Sequence, residues 1–204
     1  MGPGATTTIS FKANGNIDTV NGNARVLFDG VPAPIVSAQS TQIVAIVPYS
    51  VSGKTSVQLR VEYAGQTSAA VTIPVTDAAP GIFTDQGLGK GSPLIQYLDN
   101  SLNSAARPAP KGSIFTLYLT GDGIQKTLAF DGRRAAPPLQ TPVLPVVVTV
   151  NGASAAVLYA GATQGYAGLM AVVVQLDANI ASGALPLSVQ VGSKSSQTVN
   201  LYVQ

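Results

Sequence analysis

"VLFDGVPAPIVSAQSTQIVAIVP", residues 26–48, reads as three strands joined by turns. The first ends at Phe28 and meets Asp29-Gly30, a two-residue hairpin dipeptide whose central positions need the left-handed backbone that Asp, Asn and Gly tolerate. Residues 33–37 follow, then a polar step, then 42–47, closed by Pro48. The plan returns in "VTVNGASAAVLYAGATQGYAGLMAVVVQL", residues 148–176, with Asn151-Gly152 at the hairpin. Its one clear insertion is "AGATQGYAG", 160–168, in place of "AQSTQ", 38–42.

Working outward, each copy continues alike. Residues 56–62 alternate, with Val57, Leu59 and Val61 to one face and Ser56, Gln58, Arg60 and Glu62 to the other, as a half-buried strand requires. A turn near Ala64-Gly65 and a strand at 70–75 complete the first copy. In the second, 185–191, Gly192-Ser193 and 199–203 take these places, Leu187, Val189 and Val191 standing for Val57, Leu59 and Val61 at an offset of 130, against 128 at the last strand. Between the copies, 82–84, 94–98 and 114–119 read as strands. Evenly spaced short strands in repeats of this size indicate an all-β chain of two tandem immunoglobulin-like β-sandwich domains, residues 1–78 and 79–204, with Pro80-Gly81 at the boundary.

Composition agrees. Charged residues make up 10% of the chain and aromatics 6%, the balance being Ala, Val, Gly, Ser and Thr, which suits short strands. The 11 basic and 9 acidic residues are scattered, with Arg133-Arg134 the densest basic spot, so no nucleic-acid face is expected. No apolar run approaches the ~18 residues of a membrane helix, and none is expected to insert. Met1-Gly2-Pro3-Gly4 opens into polar sequence without a signal peptide, as in a mature fragment of something longer. Low charge and Ser/Thr/Gly/Ala-rich strands favour an extracellular or cell-surface setting.

Chemistry-bearing patterns are sparse. The chain has no His and no Cys, so the usual general base, the commonest metal ligand and thiol chemistry are missing. "GLGKGS", 87–92, lacks the spacing and following helix of a phosphate loop. Asp85, Asp99, Asp122 and Asp131 show no calcium-loop spacing and mostly sit in turn sequence. No G-x-S-x-G elbow is present, and "GSKSS", 192–196, reads as a hairpin turn. Lys12 and Lys111 are the lysines considered for an isopeptide staple, without a signature. No enzyme activity, catalytic residue, cofactor or metal is expected. The candidate contact surface is the inserted loop with Tyr159, Gln164 and Tyr166, since Tyr on a Gly-rich loop offers stacking area at low entropy cost. The alternative is that these tyrosines pack over the end of the core.

The order "VLFDGVPAPI…STQIVAIVPYSVSGKTSVQLRVEYAGQTSAAVTIPVTDAAPGIFT…LDNSLNS…GSIFTLYLTGDG…LPVVVTVNGASAAVLYAG" resembles an uncharacterised bacterial C-terminal domain family, abundant in Acidobacteria of the Solibacter group, which caps many large exported proteins. Single halves also resemble IPT/TIG domains. The resemblance implies a β-sandwich module in a secreted, multidomain context and supplies no catalytic residue. The expected function is a non-catalytic spacer, attachment or assembly module, with protein partners or self-association by β-strand addition; the alternative is a module binding polysaccharide or another ligand.

The first copy begins late. "GSIFTLYLTGDG", 112–123, precedes the second copy. In the first, "TISFKANG", 8–15, parallels either "TLAFDG", 127–132, or, at an offset of 108, "TLYLTGDG", 116–123. The first sandwich therefore lacks one or two strands. Something outside its own 78 residues completes it, or residues 6–12 fold back to cover the edge.

Overall fold

The hairpin dipeptides adopt the backbone their residue types suggest. In the computed structural model, which describes residues 1–87, 89, 91–127 and 130–204, φ is 49° at Asp29, 83° at Gly30, 52° at Asn151 and 80° at Gly152. Such pairs close two-residue antiparallel turns whose twist matches their strands. Lys90 of the Gly-Lys loop and Leu128-Ala129 of "TLAFDG" lie outside the described residues.

The chain divides into two units. The first comprises Met1–Asp77, Leu128–Pro138 and Gln164–Gly168; the second comprises Ala78–Thr127, Leu139–Thr163 and Leu169–Gln204. Both are immunoglobulin-like β-sandwiches and the architecture is all-β; the helical element among the described residues is a single 3₁₀ turn at Tyr49–Val51.

In the first unit the strands are β1 (Ala24–Phe28), β2 (Val31–Pro32), β3 (Ile35–Ala38), β4 (Ile43–Ala45), β5 (Ser56–Tyr63), β6 (Gln66–Thr67) and β7 (Val71–Pro74). One sheet joins β2, β1 and β5, with β6 and β7 on β5; the other is β3 with β4. Pro32 and Pro34 have no N–H to offer a ladder, so the chain leaves the first sheet there and enters the second. Thr7 folds back on β3, exchanging backbone hydrogen bonds with Ala38 at 2.9 and 3.3 Å. Sequence-distant residues join the same unit. The Ile17 N–H donates to Gly132 O at 2.8 Å, the Tyr49 N–H donates to the Asp131 carboxylate at 2.8 Å, and the Arg134 guanidinium lies 4.8 Å from the Phe11 ring centroid. Gly132 has φ 72° and leaves no room for a Cβ, which would lie 2.9 Å from Ile17 O.

In the second unit the strands are β8 (Gly81–Ile82), β9 (Ile95–Tyr97), β10 (Ile114–Thr120), β11 (Val146–Val150), β12 (Ala153–Ala162), β13 (Met170–Gln175), β14 (Gly183–Val191), β15 (Lys194–Ser195) and β16 (Val199–Val203). One face is β15, β14 and β11, with β16 on β14; the other is β13 and β10, with β8 and β9 on β10. β12 serves both, pairing with β11 up to Ala155 and with β13 from Ala156, with a bulge between Val157 and Tyr159. A bulge bends a strand without ending it, which is how one ten-residue element spans both sheets.

The ladders define how the copies correspond. Phe28, just before its turn, opposes Leu59, and Val150, just before its turn, opposes Leu187. Leu187 therefore matches Leu59, and Val189 matches Val61, two residues from the match expected on sequence. A two-residue slip keeps every side chain on its face, so alternation alone cannot detect it. The offset is then 128 throughout this part of the repeat: the Val61 and Val189 N–H groups both donate to a serine Oγ, of Ser68 and Ser196, at 3.0 Å. The bulge repeats too, with register shifts at Ile35/Ser37 and Val157/Tyr159.

Burial separates the copies. Leu187 and Val189 are fully buried, whereas Leu59 and Val61 are half-buried. Leu187→Ala should cost about 2–5 kcal/mol and Leu59→Ala about 1–2 kcal/mol, measured by urea unfolding of the full chain; equal losses would contradict the burial difference. A second expectation concerns Asp29. The Gln58 backbone N–H, then the Lys54 ammonium, hold its carboxyl below the ordinary carboxylate value. With the folded value below an unfolded value of about 3.9, this stabilisation is present above that pH and lost as pH falls through the folded value. Asp29→Asn keeps the turn chemistry of Asn151 but should lower stability at pH 7, with the gap to wild type closing on acidification.

Candidate functional site

The three residues of the inserted loop separate. Tyr159 belongs to the second unit and Gln164 and Tyr166 to the first. Tyr159 sits in β12 just past the bulge, half-buried. Its hydroxyl donates to Ala162 O at 2.8 Å, and burial raises the pKa of the phenol. Gly161 makes room for it, since a Cβ there would lie 2.7 Å from the hydroxyl and 2.6 Å from Gln140 O. Gln164 is exposed and Tyr166 is 59% exposed. The short loop is held at its base: the Ala135 N–H donates to Tyr166 O and the Gly165 N–H to Ala135 O, both at 2.8 Å. Tyr166 thus presents a free aromatic face on a fixed backbone.

The acids considered for calcium are turn residues in separate places. Asp85 accepts from the Ser92 N–H at 2.8 Å, Asp99 from the Ser101 N–H at 3.0 Å, and Asp122 from the Gln125 amide at 3.0 Å; Asp131 holds Tyr49 as described. Lys12 and Lys111 are exposed, whereas an isopeptide staple is a buried bond. Among the described residues no group of three or more Asp, Glu, His or Cys converges.

One surface escaped the sequence reading. The loop from Tyr97 to Pro110 borders a cleft of about 680 Å³ in the second unit, with Leu98, Pro108 and Ile114 on its walls. Leu98 is 81% exposed. Asp99 pairs with Arg107 at 2.5 Å, and the Ser101 hydroxyl and N–H lower the Asp99 pKa against the opposing effect of desolvation. Ser113, also at the cleft, has a buried hydroxyl without a partner among the described residues. The loop is fastened by Asn103, which is 3% exposed. Its amide donates to the Tyr97 hydroxyl at 2.6 Å and to Tyr202 O at 2.8 Å, and its Oδ1 accepts from the Tyr202 N–H at 2.9 Å. The only sequence signal was "LDNSLNS", where an Asn amid turn residues looks like any other loop Asn.

The second cleft, about 380 Å³, lies in the first unit between its two sheets, where Val26, Phe28, Ile43, Ala45, Leu59 and Val61 line it. By the register of the repeat these match Val148, Val150, Val172, Val174, Leu187 and Val189, all buried in the second core. There β10 pairs with β13 through Leu117, opposite Val172, and Phe115, opposite Val174. β4, the counterpart of β13, pairs only with β3 among the described residues. The cleft therefore occupies the place of a β10-like strand. Its walls are mostly apolar, with Ser40, Thr41 and Gln42 at the β3–β4 turn.

Residues 3–75 match the family model for the IPT/TIG domain. Two solved structures are similar: domains 4–9 of the surface layer protein SbsC, with 17% identity and TM-score 0.27 over 96% of this chain and 24% of that one, and the I9–I11 tandem from titin, with 8% identity and TM-score 0.28 over 98% and 55%. The chain thus spans 24% and 55% of the lengths of these two structures. No curated protein matches.

Asn103→Ala should leave the Tyr202 N–H unpaired, the carbonyl keeping the Ala109 N–H at 2.7 Å, and cost about 1–3 kcal/mol. Hydrogen exchange at the Tyr202 amide should accelerate well beyond that of the β14 amides; uniform acceleration would instead mean global destabilisation.

Proposed function

We propose that this chain is a non-catalytic structural and interaction module: tandem immunoglobulin-like domains, divided near 78/79, at the C-terminus of a larger exported bacterial protein. The observation that carries the reading is the cleft of the first unit, where Ile43, Ala45, Leu59 and Val61, equivalent to buried core of the second, remain half-buried. It is a surface made for another chain rather than for a reaction. The IPT/TIG match over residues 3–75 and the low charge of the chain support the same reading. Immunogold labelling of intact cells producing the parent protein, with an antibody raised against this chain, should decorate the surface; label confined to permeabilised cells would overturn the exported setting.

Exposed Tyr166 favours a second reading, polysaccharide binding by aromatic stacking on sugar rings. On a glycan array the chain would then bind a polysaccharide class and Tyr166→Ala would lose it; binding unchanged in that variant would remove the loop from consideration.

A further inference from the structure

We infer that the open edge of β4 takes up one β-strand from a partner protein, antiparallel to β4, with apolar side chains at alternate positions opposite Ile43 and Ala45. The inference deepens the interaction reading and rests on it.

The second unit shows what the position accepts. Its β10, "IFTLYLT", places Phe115, Leu117 and Leu119 at 0% exposure and Thr116 opposite Val173. Leu117 and Phe115 stand opposite Val172 and Val174, the counterparts of Ile43 and Ala45. Residues directly opposite in an antiparallel pair share a face, so the incoming strand needs apolar residues there and a polar one between. Its apolar side chains would join Leu59 and Val61 as Phe115, Leu117 and Leu119 join Leu187 and Val189 in one core, and its backbone would pair along the free edge.

The edge also lacks one of the devices that usually protect such an edge, charge. No charged residue occurs between Asp29 and Lys54, so β4 carries none of the lysines or inward charges that discourage strand addition. The chain's own early residues leave the β4 ladder open: Met1 borders the cleft and donates to Ser40 O at 3.4 Å, while Thr7 pairs with Ala38 of β3, not with β4. A strand in the cleft thus completes the first unit without displacing a ladder already made.

The test uses the full chain and a fluorescent peptide of residues 112–123, flanked by lysines for solubility, with a control carrying Ser at the positions of Phe115, Leu117 and Leu119. Anisotropy should show saturable binding, at least about tenfold weaker for the control, a difference ordinary for losing buried apolar groups. Hydrogen exchange should slow at Ile43 and Ala45 on binding. Leu59→Ser should weaken binding similarly, and the exchange footprint decides the matter if that variant does not fold. Equal binding of the control, or protection outside β4, would overturn the inference. So would peptide-free dimerisation protecting the same amides, which would make the occupant a second copy. Failed surface labelling would leave this result untouched, and a peptide that does not bind would leave the exported setting untouched.

Discussion

One turn residue in each copy ties three strands together. Asp29 takes a left-handed conformation that turns β1 into β2, and its N–H donates to Gln58 O at 2.9 Å, joining the same tip to β5. Asn151 does the same, turning β11 into β12 while its N–H donates to Pro186 O at 2.8 Å in β14. Asp29 adds its carboxylate, which accepts from the Gln58 N–H at 2.7 Å. With the tip fixed, the register of β1 on β5 and of β11 on β14 follows, and with it the face each side chain presents. The serine on the next hairpin, Ser68 or Ser196, repeats the pinning one turn later.

From that common frame the copies diverge through a few residues. Where the first has "VPAPI", two prolines break the strand that passes from sheet to sheet. Where the second has "ASAAVLYAGA", no proline intervenes and β12 runs on through a bulge. The larger difference is β10. Among the described residues, the second unit, with it, assembles a core of twenty buried apolar residues; the first, without a counterpart, has seven. Apolar burial is the main favourable term in folding, so the first unit leans more on polar and long-range ties. These include the Thr7–Ala38 exchange, the Asp131 carboxylate under Tyr49, and the Arg25–Glu62 ion pair at 2.9 Å.

The strands were legible because alternation and turn dipeptides are local signals. Val199–Val203 falls where the pattern puts it, and Ser56–Tyr63 extends it by one residue. The all-β immunoglobulin-like class followed from their number and spacing. The register of the repeat was off by two because a two-residue slip conserves the alternation that was being read. On the sequence the first copy begins late, without a "GSIFTLYLTGDG"; that Thr7 pairs with β3 has no local signal there. Asn103 was illegible for another reason: its partners Tyr97 and Tyr202 lie 6 and 99 residues away, and nothing in "NSLNS" points to either.

The same limit explains how a stretch near residue 130 comes to belong with the first seventy-seven. A tie such as Tyr49 to Asp131, 82 residues apart, leaves no periodic trace. Its entropic cost grows only logarithmically with the length of chain it closes, so sequence separation does not forbid it. Gly132 is fitted to its place by a positive φ and by a carbonyl too close for any Cβ, a steric demand rather than a hydrophobic one. The first unit therefore reads as a sandwich whose missing share of core is partly made up by hydrogen bonds and one cation–π contact from later chain. Those ties gather around Phe11, Ile17 and Tyr49. They leave β4 beside a cleft lined by Ile43, Ala45, Leu59 and Val61, where added apolar burial would stabilise the unit.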